Sequence, residues 1–436
     1  MRQPNFKKRK KSPDHDIIHH ADGEDLCTAK PSAVFTPTGG RTHTLSVAIP
    51  GSIVANVPSL EQKTYLAGAI ARALAVFCVD EVVVFDDFDS YGNNGNAESG
   101  RKVTLQNRKQ PWNGYTANSD PSHFLAHLLS YLETPPYLRK YLFPMHPNLR
   151  TAGMLPSLDM PHHLRQNEWC DYREGVVISR RNSGSEGKGR KSSKDHGENY
   201  DNNTNHTNDH NQNGDTAVTV IDTGLHQKVM LRDIELPERA RVTVRFFSQD
   251  QQIQAEPVHS STPRQEAGYY WGYYVRRCRS LSAVFTECPF DGGYDLSFGT
   301  SERGVPVSDI MNGQYDDKRI NGGGSKGDDD DGDTTAVFPD YKHLLVVFGG
   351  VAGIEVAVRN DRQLRGMSMR PVDANKLFDY WVNLLPGQGS RTIRTEEAVW
   401  LGLTSLRRLV ERKNHGYGYR HTDGPVNQKR RTRGDY

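Results

Sequence analysis

The sequence predicts an α/β fold built on a parallel sheet, with a small all-β barrel inserted into it. Three observations carry that expectation. In the first hundred residues an apolar run, a helical pattern and a second apolar run follow one another without period-two alternation, as in a parallel unit buried on both faces. From about 165 to 270 the texture changes to short β-branched runs between turn residues. Beyond 270 apolar runs return, several of them leading into glycine-containing bends.

The elements follow in order. TLSVAIPGSI, 44 to 53, reads as a short buried strand ending at Pro50-Gly51. Ser59 and Gln62 make the S-x-x-Q pattern of a capping box, and Leu66, Ile70, Ala73, Leu74 and Phe77 recur at helical spacing. EVVVFDD, 81 to 87, is a second buried strand. Asp120-Pro121 opens another helix, with an acid at the N-cap and proline at N1; Phe124, Leu125, Leu128 and Leu132 supply its inner face before Pro135-Pro136. REGVVISR, AVTVIDTG, QKVMLRDIEL and RARVTVRFF then read as barrel strands. LSAVFTECPF, YDLSFGTSERG and HLLVVFGGVAGIEVAV restore the α/β texture. A terminal helix is expected with Thr395 as its cap, Glu396 and Glu397 in the first turn, and Val399, Leu403, Leu406 and Val410 buried.

The chain has 436 residues, a formal net charge of +2 and 35% hydrophobic residues, so net charge alone names no partner. Charge is segregated, however. KKRKK at 7 to 11 and QKRRTRG at 428 to 434 are basic, and DDDDGD at 328 to 333 is acidic. A mean hydropathy of -0.72 implies that part of the chain stays outside any core. Residues 181 to 215 contain no aliphatic side chain, and 311 to 335 and 89 to 119 are similarly polar, so all three are expected as disordered loop insertions. The expected division is a basic tail over 1 to 41, an α/β part over 42 to 164, the barrel over 165 to 270, a second α/β part over 271 to 415, and a basic tail over 416 to 436. Cys27, Cys78, Cys170, Cys278 and Cys288 form no C-x-x-C pair, which argues for a reducing compartment and against structural zinc. No apolar stretch reaches the length of a membrane span and no secretory signal is present, so a soluble intracellular protein is expected.

Chemistry is sought where strands end. SFGTSERG, VVFGGVAGIE and NLLPGQGSRT are glycine-containing bends, each placed after an apolar strand, and ligands of open α/β sheets bind at the carboxyl ends of strands. None is a G-x-G-x-x-G or a phosphate loop, so a dinucleotide or ATP site is disfavoured. Taken singly, such glycines most often only permit a turn. Asp86, Asp87 and Asp89 read as a solvated edge rather than a Mg²⁺ site, and His162-His163 as structural, since no third ligand is in sight. Within the barrel, Arg241, Arg245, Phe246, Tyr269, Tyr270 and Trp271 supply the basic and aromatic groups that grip single strands, the other reading being that the aromatics are core.

YLAGAIARALAVFCVDEVVVFDD, AGMLPSLDMPHHLRQNEWCDYREG, YYWGYYVRRCRSLSAVF, GYDLSFGTSERG, LLVVFGGVAGIE and NLLPGQGSRTIRTEEA together resemble the eukaryotic and archaeal branch of the SPOUT-class RNA methyltransferases, the branch with an OB-like barrel inserted in its knotted domain. The resemblance covers roughly 42 to 180 and 216 to 412. It implies a trefoil knot through which the PGQGSRT bend is threaded, although knots are otherwise essentially absent from proteins. It further implies S-adenosyl-L-methionine as cofactor, with Thr300, Arg303, Gly349, Gly350, Asn383, Leu384, Leu385, Gly387, Ser390 and Thr392 around it. Leu384 and Leu385 would act through backbone groups.

Arg394 and Arg391 are the candidates for orienting RNA or stabilising a uridine anion, with salt bridges to Glu396 or Glu397 as the alternative. Glu302 is a candidate base, or a partner of Arg303. No metal is expected. The implied partner is RNA, ribosomal by resemblance, with uridine N3 as acceptor; the implied assembly is a homodimer and the implied location the nucleus or nucleolus. The rival reading is a catalytically silent scaffold for RNA, chromosome or spindle that keeps the knot fold.

Overall fold

A computed structural model describes residues 39–88, 114–182, 217–247, 254–312 and 338–415. The two basic runs, the acidic run, Asp89 and most of the three expected insertions lie outside the described residues. Arg181 and Asn182, expected in an insertion, instead complete a strand.

Strand β1 (Thr44–Pro50) leads through a 3-10 turn (Gly51–Asn56) into α1 (Leu60–Val76), and β2 (Glu81–Phe85) follows. The expected capping box of Ser59 and Gln62 is formed, each satisfying a backbone N–H of the other. Helix α2 (Pro121–Glu133) starts with Asp120 accepting from His123 N, as expected, but Pro135-Pro136 does more than stop it: Pro136 opens α3 (Pro136–Leu142). A proline without an N–H suits a first helical turn.

Strands β3 (Tyr172–Asn182), β4 (Ala217–Asp222), β5 (Val229–Arg232), β6 (Arg241–Phe246) and β7 (Ala255–Val258) form a separate antiparallel sheet in the order β5-β4-β3-β6-β7, with its edge strands β5 and β7 approaching one another. After α4 (Thr262–Ala267) the chain returns to the first sheet through β8 (Tyr274–Cys278), α5 (Leu281–Thr286), β9 (Leu296–Pro306), α6 (Val307–Met311), β10 (His343–Val347), α7 (Ile354–Asn360), α8 (Arg362–Gly366), β11 (Tyr380–Asn383), α9 (Thr395–Ser405) and α10 (Arg407–His415). Its order is β11-β9-β10-β1-β2-β8, and every neighbouring pair is parallel.

Burial on both faces explains the absence of polar alternation. Leu45, Val47, Ile49, Val82, Val84, Leu344 and Val346 face the core shared with α1, α2 and α9. Ala48, Val83, Phe85, Leu345 and Val347 face the core shared with α5, α7 and α8. The period of two is present; it separates two apolar layers instead of apolar from polar.

A polar cluster joins the barrel to α2. Arg241 of β6 donates to both carboxylate oxygens of Glu133 at 2.6 and 2.9 Å and to Glu174 of β3 at 2.6 Å. Thr243 and Trp271 also donate to Glu174, and both His162 and His163 approach the Glu133 carbonyl. This corrects the expected RNA-reading face. Phe246, Tyr270 and Trp271 are buried, Arg241 is consumed by two carboxylates, and Tyr269 is half-buried. Arg241 keeps part of its surface in solvent but is held by the two carboxylates, and Arg245, also partly exposed, pairs with Glu266 at 3.1 Å. The reasons are geometric: Phe246 of β6 points into the barrel core, whereas Tyr269, Tyr270 and Trp271 lie on the segment between α4 and β8, where Tyr270 packs into the core of the parallel sheet and Trp271 donates to Glu174.

Candidate functional site

All strands of the parallel sheet aim their carboxyl ends at one edge, where the final third of the chain places its bends. At β9 the ladder is interrupted. Gly299 pairs with Trp381, and the next pair is Val305 with Val382, so residues 300–304 leave the ladder and project as an excursion. GTSERG is therefore no bend after a strand, as expected from sequence, but an outward loop within one.

The excursion is anchored at its start and at its middle. Thr300 Oγ1 donates to the Val347 carbonyl of β10 at 3.1 Å, which makes this side chain a buried brace rather than a cavity contact. Asn383, the last residue of β11, donates from Nδ2 to the Glu302 carbonyl at 2.8 Å and accepts from Leu385 N at 3.1 Å. One amide thus clasps excursion and bend together. The bend turns at Gly387, whose φ of +74° lies in the left-handed region where a side chain is strained. Between them is a cavity of about 360 Å³ lined by Glu302, Arg303, Asn383, Leu385, Gly387 and Gln388, a volume within the range of small-molecule sites.

Arg303 is 70% exposed and its nearest carboxylate, Glu355 of α7, is 3.5 Å away. Such an exposed pair holds the guanidinium weakly, at about 0–1 kcal/mol, so it remains available to a ligand carboxylate. The alternative pairing of Arg303 with Glu302 is not formed; Glu302 stays exposed at the cavity.

The β10 bend approaches from the other side. The Gly349 carbonyl accepts from Thr395 Oγ1 at 2.9 Å, and Gly353 N donates to the Gly350 carbonyl at 2.9 Å. Gly350 faces Ser52 and Asp87 instead of lining the cavity. Asp87 is buried, not the solvated edge expected: Ser52 donates to it from both N and Oγ, and burial raises its pKa. Among the described residues no group of three or more His, Cys, Asp or Glu is arranged to hold a metal ion.

Glu302, Arg303, Asn383, Leu385 and Gly387 are brought together. Ser390, Arg391, Thr392 and Arg394 are exposed on the stretch that leads to α9, outside the cavity lining, and Leu384 is half-buried with its Cδ1 toward Gly402. Arg394 Nη1 lies 3.7 Å from Glu396, the pairing named as its alternative. Thr395 is the first residue of α9, not its cap: Glu397 accepts from Arg394 N, and the threonine hydroxyl serves Gly349 instead. Two contributors escaped sequence reading. Gln388 sits within PGQGS, where only its neighbours drew notice, and Glu355 reaches Arg303 from a helix whose approach no local pattern reveals.

The model of a protein family described as "Putative RNA methyltransferase" matches residues 44–406. The chain belongs to this RNA methyltransferase family. Three relatives carry the name 28S rRNA (uridine-N(3))-methyltransferase. The human protein is 38% identical over 371 residues, spanning 84% of this chain and 78% of its own; the mouse protein is 39% identical over 371 residues, spanning 84% and 77%. The fruit fly protein is 36% identical over 380 residues, spanning 84% and 62%. This RNA methyltransferase thus matches enzymes along both its parallel sheet and its barrel, which supports catalysis over the silent-scaffold alternative.

Proposed function

We propose that this RNA methyltransferase moves a methyl group from S-adenosylmethionine to N3 of a uridine in ribosomal RNA. The observation that carries the acceptor is the 36–39% identity, across most of the chain, to relatives named for that reaction. The cavity at the β9 and β11 carboxyl ends supports the cofactor. Arg303 suits its carboxylate, and the backbone of the Leu385–Gly387 bend together with the Leu385 side chain suits an adenine.

When bound, S-adenosylmethionine supplies a methyl carbon activated by an adjacent sulfonium. The protein's own contribution is alignment and proton handling. Glu302, exposed at the cavity mouth, is the group placed to take the proton that uridine N3 must lose. Arg391 and Arg394, on the exposed approach to α9, supply positive charge for a uridine bearing negative charge; Arg394 is itself exposed and lies 3.7 Å from Glu396, a long contact that yields readily.

The knotted topology belongs to the same reading. After β11 the chain passes against the β10 bend, with Thr395 bonded to Gly349 and Gly402 packed on Phe348, a course that supports threading. A homodimer and a nuclear or nucleolar location complete the proposal.

The test is transfer of labelled methyl from S-adenosylmethionine to total RNA of cells lacking this protein, followed by nucleoside mass spectrometry. Labelled 3-methyluridine is expected. A different labelled nucleoside would refute the acceptor, and no transfer from protein shown to bind the cofactor would refute the activity on free RNA.

A further inference from the structure

A second cavity, of about 420 Å³, lies between α3, the segment after His163 and the β4–β5 turn of the barrel. Lys140, Arg165, Gln166 and Lys228 line it with exposed side chains, against the single carboxylate of Asp222. That carboxylate is already committed. It accepts from Lys228 at 2.8 Å, from the Tyr141 hydroxyl at 2.7 Å and from Gly224 N at 2.9 Å, so it steadies the lysine at the rim.

Beneath the cleft lies Arg173, 1% exposed. It donates to the carbonyls of Leu164, Arg165, Glu168 and Thr223 at 2.7–3.2 Å and lies over the Tyr137 ring. None of these partner groups carries a charge, so the guanidinium adds to the positive potential of the cleft while holding three of its walls in place. Lys140 and Arg165 are bound only loosely, one over the Tyr141 ring and the other 3.8 Å from Glu168.

We propose that this cleft seats the sugar–phosphate backbone of the RNA substrate, with Lys140, Arg165 and Lys228 contacting phosphate oxygens. The choice of RNA rests on the RNA-methyltransferase reading; the convergence of cations does not. A rigid cleft with an excess of positive charge suits a phosphate chain, whose contacts position the substrate without reading its bases. It also accounts for how a barrel whose expected stacking aromatics are buried can take part in holding RNA: through its junction with the α/β body.

The experiment uses the full chain and a single-stranded, uridine-containing RNA of about 20 nucleotides, followed by fluorescence anisotropy from low to high salt without the methyl donor. In Lys140→Gln/Arg165→Gln the logarithmic salt slope should fall by about 1.4, or 0.7 for each lost contact, with affinity about tenfold weaker at low salt. Both side chains are exposed, so a cooperative melt should persist; Lys228→Gln is the second variant and Arg362→Gln on α8 the control for loss of any surface charge.

An unchanged slope in the double variant overturns the proposal. So does an equal fall in the control. A loss confined to inorganic phosphate would mark a small-anion site, and a loss confined to polyglutamate an acidic-protein site, and either overturns the RNA assignment. A reduced slope in the double variant, with no methyl transfer by wild-type protein in the separate assay on total RNA, would refute the reaction and leave the cleft standing. A double variant with the wild-type slope, from a protein that does transfer methyl in that separate assay, would refute the cleft alone.

Discussion

Arg303 is exposed, faces a cavity and has one distant carboxylate partner, so its removal should leave the fold nearly untouched. Arg303→Ala is expected to weaken S-adenosylmethionine binding about tenfold, or 1.4 kcal/mol, with an unchanged cooperative melt. Isothermal titration calorimetry checks this, and wild-type affinity would remove Arg303 from the site. Gly402 behaves oppositely. A Cβ there would lie 2.8 Å from the Phe348 ring and 3.3 Å from Leu384, inside a packed core. Gly402→Ala should therefore cost about 1–3 kcal/mol, read as a lower denaturation midpoint at constant m-value. At this scale the sequence is informative for residues within the unusual motifs, silent on Glu355 and misleading on Asp87, whose roles arise from approaches between distant segments.

Among the elements, the junction of α2 with the barrel concentrates the most demanding electrostatics. Glu133 and Glu174 are held below the usual carboxylate range: burial opposes this, but Arg241 and the surrounding donors outweigh it. Removing one partner leaves a buried charge under-compensated. Glu133→Gln is expected to destabilise the fold by about 3 kcal/mol, whereas Glu133→Gln combined with Arg241→Met should cost less than the two single effects summed. A double-mutant cycle in urea measures that coupling, and strict additivity would show that the contact does not tie barrel to helix. The elements themselves were largely legible, because caps, prolines and apolar runs act locally. The terminal helix was legible in part: Val399, Leu403 and Leu406 are buried and Glu396 and Glu397 sit in the first turn as expected. It divides at Leu406 into α9 and α10, and Leu409 takes the fully buried place expected of Val410, which is only partly buried.

For the whole molecule, acid should lower stability over two successive pH windows. Burial and the neighbouring His162 pull the His163 pKa down to about 3, while the unfolded chain takes up that proton near pH 6.5. The stability contributed by the neutral ring is therefore complete above pH 6.5 and lost as pH falls from 6.5 toward 3. Glu133, Glu174 and Asp80 are also depressed, and their contribution is present above the ordinary carboxylate range and lost as pH falls below about 4. Melting temperature should thus decline from pH 7 to 5 and more steeply below 4. His163→Gln should flatten the upper part, and an unaltered profile would show that this ring does not govern it.

The sequence by itself determined the buried parallel strands, the caps of α1 and α2, the separate β-rich segment and the motifs that carry the family resemblance. Each depends on a local rule: apolar period, a cap, a proline or an uninterrupted motif. Only the tertiary structure decided that Thr300–Gly304 leave the β9 ladder, that Arg303 meets Glu355, that Tyr270 and Trp271 are buried on the segment returning from the barrel to the parallel sheet, and that Lys140, Arg165 and Lys228 share one cleft. Those outcomes depend on register and on which distant surfaces pack together, and neither is encoded in the spacing of neighbouring residues.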